Sequence, residues 1–149
     1  MKSILLIFGL FILISVQACK DEKSEIIYHE SHEPSRTNVP FSDAVETEDL
    51  MFLTGQIGKD HKKGKLVSGG IEAETRQTIE NIKAVLKYHN LALDNVVKCT
   101  VILEDIEDFK AFNSVYVTYF TKKPARTTFA ASGLAGGACI EIDVIAAKN

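Results

Sequence analysis

The chain has 149 residues, a formal net charge of −3 and an apolar fraction of 46%. That is the material of one ordinary domain with a real core. A mildly acidic chain without a basic stripe argues against nucleic acid as a partner, because phosphate neutralisation supplies most non-specific affinity. No CxxC pair and no His/Cys cluster points to zinc.

At the N-terminus, Met1-Lys2-Ser3 carries one positive charge, and residues 4–14 form an apolar run too short to span a bilayer comfortably. Val16-Gln17-Ala18-Cys19 follows and resembles a bacterial lipoprotein signal. The expectation is a signal peptide over 1–18 and a lipid on Cys19. A plain secretory signal or an uncleaved anchor stays open as an alternative. Residues 19–38 are polar with few core candidates, and read as a flexible tether between membrane surface and domain. The location expected is the cell envelope, lipid-anchored, facing the periplasm or exposed on the outer membrane. His29 and His32 fall in this stretch and read as solvated.

The folded domain is expected over 39–149. Residues 41–47 and 50–54 read as a two-stranded hairpin, interrupted by Gly55-Gln56-Ile57-Gly58. Lys59, Lys62, Lys63 and Lys65 surround Gly64 and read as a solvated hairpin tip, with a short third strand near 65–68. Gly69-Gly70 breaks the chain before a helix over 72–90, where Ala73, Ile79, Ile82 and Leu86 recur at helical spacing. Residues 96–103 are a β-branched strand. Asp105 is placed to cap a second helix, whose Phe109, Phe112, Tyr116 and Tyr119 read as its core face. Residues 126–131 and 138–147 are the last strands, joined by a glycine-rich turn over 133–137.

The order β-β-β-α-β-α-β-β predicts an α+β domain, a mixed sheet with two helices on one face. Residues 97–103 and 140–146 are apolar on both alternations, so the uncovered face calls for self-association. Cys99 and Cys139 sit in these runs, either as small buried apolar groups or as a disulfide. His61 and His89 show no partner that suggests catalysis.

The chemistry-bearing pair is Arg126, just after Pro124-Ala125, and Glu141, set between Ile140 and Ile142 fifteen residues on. A guanidinium fork suits a small carboxylate, and a carboxyl among isoleucines has a raised pKa suited to moving protons. A structural ion pair closing the sheet is the competing reading of the same residues.

Thr54-Gly55-Gln56-Ile57, Arg76-Gln77-Thr78-Ile79-Glu80-Asn81-Ile82, Asp108-Phe109 with Phe112-Asn113, Pro124-Ala125-Arg126 and Ile140-Glu141-Ile142-Asp143-Val144-Ile145-Ala146 occur in that order. Over residues 39–147 the chain resembles the RidA family, also called YjgF/YER057c/UK114. The resemblance implies a chorismate-mutase-like fold, a homotrimer around a central β-barrel, and clefts between neighbouring subunits. It also implies deamination of reactive 2-imino or enamine acids to 2-keto acids and ammonia, with no cofactor and no metal. Arg126 then takes the place of the carboxylate-binding arginine, and Glu141 that of the glutamate that positions water. Thr54, Gly55, Asn113 and Phe41 take substrate-lining positions. Phe41 stands where the pattern has tyrosine, Thr128 where cysteine is common, and Gly58 where proline is usual. The alternative implied by the loss of a hydroxyl at Phe41 is a trimer that binds small carboxylates on the cell envelope without turning them over.

Overall fold

The computed structural model describes residues 25–148. Six strands form one sheet: β1 (Ile27–His29), β2 (Ala44–Glu46), β3 (Leu50–Ile57), β6 (Val96–Leu103), β7 (Ala125–Ala130) and β8 (Ile140–Ala147). Two short strands, β4 (Lys59–Asp60) and β5 (Lys65–Leu66), pair as a separate hairpin. The helices are α1 (Gly70–Tyr88) and α2 (Phe109–Tyr119). The sheet order is β1-β2-β3-β8-β6-β7. Only β6 and β7 run parallel, joined by α2 as the crossover; the other pairings are antiparallel.

Alternation sorts the two faces. Cys99, Val101 and Leu103 of β6 and Ile140, Ile142, Val144 and Ala146 of β8 are buried toward the helices. Against them pack Ile79, Ile82, Val85 and Leu86 of α1 and Phe112 and Tyr116 of α2. The other face carries Phe52, 40% exposed, beside its register partner Ile145, and Phe129, 45% exposed, beside Ile102. This mixed α+β sheet with both helices on one side is the expected architecture. The apolar residues left on the open face are the ones that made both alternations of β6 and β8 read as buried.

Helix α1 ends by a local device. Asn90 takes a left-handed conformation (φ +61°). That geometry lets Leu91 N reach Leu86 O at 2.8 Å and Asn90 N reach Lys87 O at 3.0 Å. These are the paired bonds that satisfy the orphan carbonyls of a helix end, with Leu91 packed on the core. At the other helix, the Asp105 side chain accepts from Glu107 N at 2.9 Å. It caps the 3₁₀ turn Ile106–Asp108 that leads into α2, one turn earlier than the helix it was expected to cap.

The N-terminal boundary differs from the sequence reading. Residues expected in a flexible tether form β1, registered with β2 as Ile27↔Glu46, Tyr28↔Val45 and His29↔Ala44. His29 meets Glu46 at 2.7 Å and its ring lies 4.5 Å from that of His89, while His32 stacks on Tyr88 at 5.0 Å. These histidines are docking groups rather than solvated ones. A polar segment folds here because backbone pairing and aromatic contacts, not apolar burial, hold it. The hairpin expected from 41–47 shrinks to Ala44–Glu46, since Phe41 and Ser42 lie outside the ladder.

Both described cysteines are free thiols. Cys99 is buried in the core, where burial pushes its thiol up to about 11 against the lesser pull of the Tyr116 hydroxyl, which donates to Sγ at 3.3 Å. Burial first, then the Glu74 carboxylate, pushes Cys139 up to about 11 as well. Thiolate is the reactive form. The expected outcome at pH 8 is negligible labelling of either thiol by a disulfide reagent in the native protein and full labelling in guanidinium, read by absorbance.

Candidate active site

The strand β3 does not run straight past β8. Leu53 pairs with Val144 and Gln56 with Ile142, so β3 holds one extra residue between these pairs. The bulge consists of Thr54 and Gly55, and bulges re-aim the chain next to functional sites. Immediately beyond it, Ile57 registers with Glu141. A Cβ built on Gly55 would collide with the Glu141 carboxylate, so only glycine lets that side chain lie across the bulge. Burial raises the Glu141 pKa, with the nearby Asp143 charge a second cause.

Phe41, Thr54, Gly55 and Glu141 line one cavity of about 480 Å³. Arg36, Lys59 and His61 line it too. The sequence reading missed these three. Arg36 sits in residues taken as tether, and Lys59 and His61 lie on a loop taken as solvated. Burial also lowers the His61 pKa, with Glu33 pulling it up and Arg36 and Lys59 pushing it down.

Arg126 and Asn113 lie elsewhere. Arg126 registers with Cys99, on the helix side of the sheet. Its Nη1 donates to Asn113 Oδ1 at 2.9 Å. Its guanidinium lies 4.5 Å from the ring centroid of Tyr116, 5.2 Å from Phe112 and 5.6 Å from Phe109. These rings hold the cation by their negative faces, and Phe112 and Tyr116 form core as well, whereas Phe109, expected on the core face, is exposed. The aromatic set of α2 therefore does two jobs where one was expected. Asn113 and Arg126 share a second cavity of about 580 Å³ with Tyr116, Phe120 and Pro124.

Within one chain, then, the guanidinium and the carboxylate face opposite sides of the sheet: Arg126 shares a face with Cys99, Glu141 with Ile102. They form neither an ion pair nor a single-chain pocket, so within one chain neither a structural salt bridge nor a shared site joins them. Two groupings result: a caged cation with an amide on one face, and a desolvated carboxyl with a hydroxyl and a bare backbone on the other.

One departure from the family pattern acquires physical content. A Cβ on Gly58 would lie 2.7 Å from Glu74 Cα, so proline has no room there. Glu74 is 5% exposed and accepts from Cys139 N at 2.9 Å, tying α1 to the approach of β8. The Asn81 amide donates to Ile57 O at 3.0 Å and Lys59 O at 2.9 Å, pinning the chain that leaves the bulge.

Because burial holds the Glu141 carboxyl above its ordinary range, the folded protein binds this proton more tightly than the unfolded chain does. Its contribution to stability is therefore full below the ordinary carboxylate pKa and is lost as pH rises through the folded value. Glu141→Gln is expected to raise the melting temperature at pH 7. The gain should shrink to nothing at pH 4, as checked by calorimetry at both values.

The family model for endoribonuclease L-PSP matches residues 30–148. A RutC family protein of Pyrococcus horikoshii is 44% identical over 111 residues, which are 74% of this chain and 88% of that protein. The human 2-iminobutanoate/2-iminopropanoate deaminase is 41% identical over 111 residues, 74% of this chain and 81% of its own length. The crystal structure of the YjgF gene product from E. coli superposes with a TM-score of 0.74 at 28% identity, covering 82% of this chain and 98% of that one.

These comparisons correct the expected location. The lipid-anchored envelope location read from the first nineteen residues is overturned by the mouse and human relatives, which are named 2-iminobutanoate/2-iminopropanoate deaminase. Among the described residues no helix is long and apolar enough to cross a membrane. Residues 1–24, Cys19 included, lie outside the described residues. With the family model spanning 119 positions from residue 30 to 148 and relatives above 40% identity, the chain belongs to the RidA/YjgF family of endoribonuclease L-PSP-type proteins.

Proposed function

We propose that this protein hydrolyses reactive 2-imino and enamine acids to 2-keto acids and ammonia, in sites completed between the subunits of a homotrimer. The observation that carries the proposal is the split of complementary halves. One face bears the caged Arg126 with Asn113, the other bears Glu141 with Thr54 and the open backbone of Gly55. The apolar patch of Phe52, Ile102, Phe129 and Ile145 supports association through the open face. A cyclic trimer is heterologous, so it sets one side of a subunit against the other side of its neighbour. Such a contact would bring an Arg126 half-site to a Glu141 half-site.

In that site Arg126 binds the substrate carboxylate through two parallel N–H···O bonds and holds the C=N in register. The aromatic rings and Asn113 fix its plane beforehand, so little ordering is left to do on binding. Glu141 accepts a proton from water as the water oxygen bonds to the imine carbon. Glu141 passes that proton to the imine nitrogen as its π-bond opens, giving a carbinolamine. It then carries the hydroxyl proton to the amine, which leaves as ammonia as the C=O of the keto acid re-forms. A carboxyl held above its ordinary pKa is a stronger base when ionised and keeps a proton more readily once it has taken one, which suits both halves of this cycle. The relatives named 2-iminobutanoate/2-iminopropanoate deaminase support the same reaction.

Coupled turnover tests it: an amino-acid oxidase generates the imine, and semicarbazide traps what the protein has not hydrolysed. Faster loss of trappable imine is expected. Unchanged trapping, or full activity in Arg126→Ala, overturns the reading. A second reading, carboxylate binding without turnover, is favoured by Phe41, which brings a half-exposed ring without a hydroxyl to the Glu141 cavity. Arg126-dependent thermal stabilisation by 2-keto acids with no turnover would select it, as would activity gained in Phe41→Tyr.

A further inference from the structure

The proposed reaction uses one cation, Arg126, yet the Glu141 cavity has a basic wall of its own. Arg36, Lys59 and His61 line it, and Glu141 is its only carboxylate among the described residues. Arg36 is held rigidly: it donates to Gln56 Oε1 and pairs with Asp43 at 3.0 Å, with its side chain 12% exposed. Asp43 offsets that charge from behind, since it is 3% exposed and does not line the cavity. A guanidinium has five N–H donors, and two partners leave some of them unused.

Lys59 is different. It is half-buried, and no carboxylate lies within ion-pair distance of it among the described residues. Its backbone is pinned from α1 by Asn81, so the residue is presented to the cavity on a fixed support. His61 follows two residues later with its Nδ1 buried and unpartnered. A partly desolvated cation without a counter-ion costs free energy that an incoming anion removes.

We propose that the basic wall of the Glu141 cavity selects substrates with a second acceptor on the side chain, a distal carboxylate above all, bound at Lys59 with Arg36 and His61 beside it. The favoured class is 2-imino acids derived from dicarboxylic amino acids, over those with alkyl side chains. This rests on the deaminase reading for its chemistry, with Arg126 taking the α-carboxylate and the basic wall taking the other end.

Two measurements separate this inference from the reading it rests on. The first is binding by the intact protein of 2-ketoglutarate against 2-ketobutyrate at pH 7 by calorimetry. The second is kcat/KM for imines generated from glutamate against those from leucine. Binding at least tenfold tighter for the dicarboxylate is expected in the wild type, with the same preference in kcat/KM. Lys59→Met should collapse both ratios toward unity, while Lys62→Met, on the exposed tip of the same hairpin, leaves them where they were. Equal affinity for the two keto acids, or ratios unmoved by Lys59→Met, overturns the inference. If neither imine is turned over, the deaminase reading fails, and the keto-acid affinities alone decide the role of the basic wall.

Discussion

Arg126→Ala and Glu141→Gln subunits, each inactive alone, are expected to recover turnover when mixed. Each variant removes one half of the proposed site. Loss of an oriented carboxylate anchor or of the group that handles the water should cost on the order of 10²–10³ in kcat/KM. In one chain the two side chains lie on opposite faces of the sheet, so no single-chain site exists to be lost. In a heterologous trimer each site draws its arginine from one subunit and its glutamate from the next. A randomly exchanged equal mixture then holds both native groups in about one quarter of its sites. Recovery to that level after co-refolding is the expected reading. Mixed trimers verified by native mass spectrometry that stay dead would show that the two groups do not meet across subunits.

The second large effect is expected from a single methyl group. In Gly55→Ala the new Cβ would occupy the space of the Glu141 carboxylate. The backbone at Gly55 needs no unusual dihedral, so alanine is not strained there. The carboxylate, a flexible side-chain end, must swing away instead. Displacing a reacting group by about 1 Å can cost roughly 10² in rate, so activity should fall by about that factor. Stability should change little, because the bulge and its flanking pairs Leu53↔Val144 and Gln56↔Ile142 are untouched. A large fall in melting temperature together with the lost activity would instead make Gly55 a packing residue. Full activity in Gly55→Ala would remove Glu141 from the proton-handling role.

Most of the elements were legible from local patterns, for physical reasons. Periodicity over α1 reflects a helix whose one face meets the sheet, and β-branched runs mark β6 and β8. The weak points were places where local sequence is silent. The strand β1 has only three residues and no apolar alternation; its place comes from backbone pairing with β2 and from His29 meeting Glu46 and His89. Arg36 acquires a meaning only through Asp43 and Gln56, seven and twenty residues away. Residues of this kind look like linker until something distant turns up to bind them.

The amino-acid sequence by itself determined the α+β class and the two helices on one face, because short-range period is a local property; it also offered Arg126 and Glu141 as the groups of the proposed chemistry. Tertiary structure alone decided where those groups point. Arg126 falls in register with Cys99 and Glu141 with Ile102, and strands alternate with a period of two. A shift of one residue in either ladder would reverse the assignment. That register is a pairing between strands distant in the chain, which no stretch of chain records on its own.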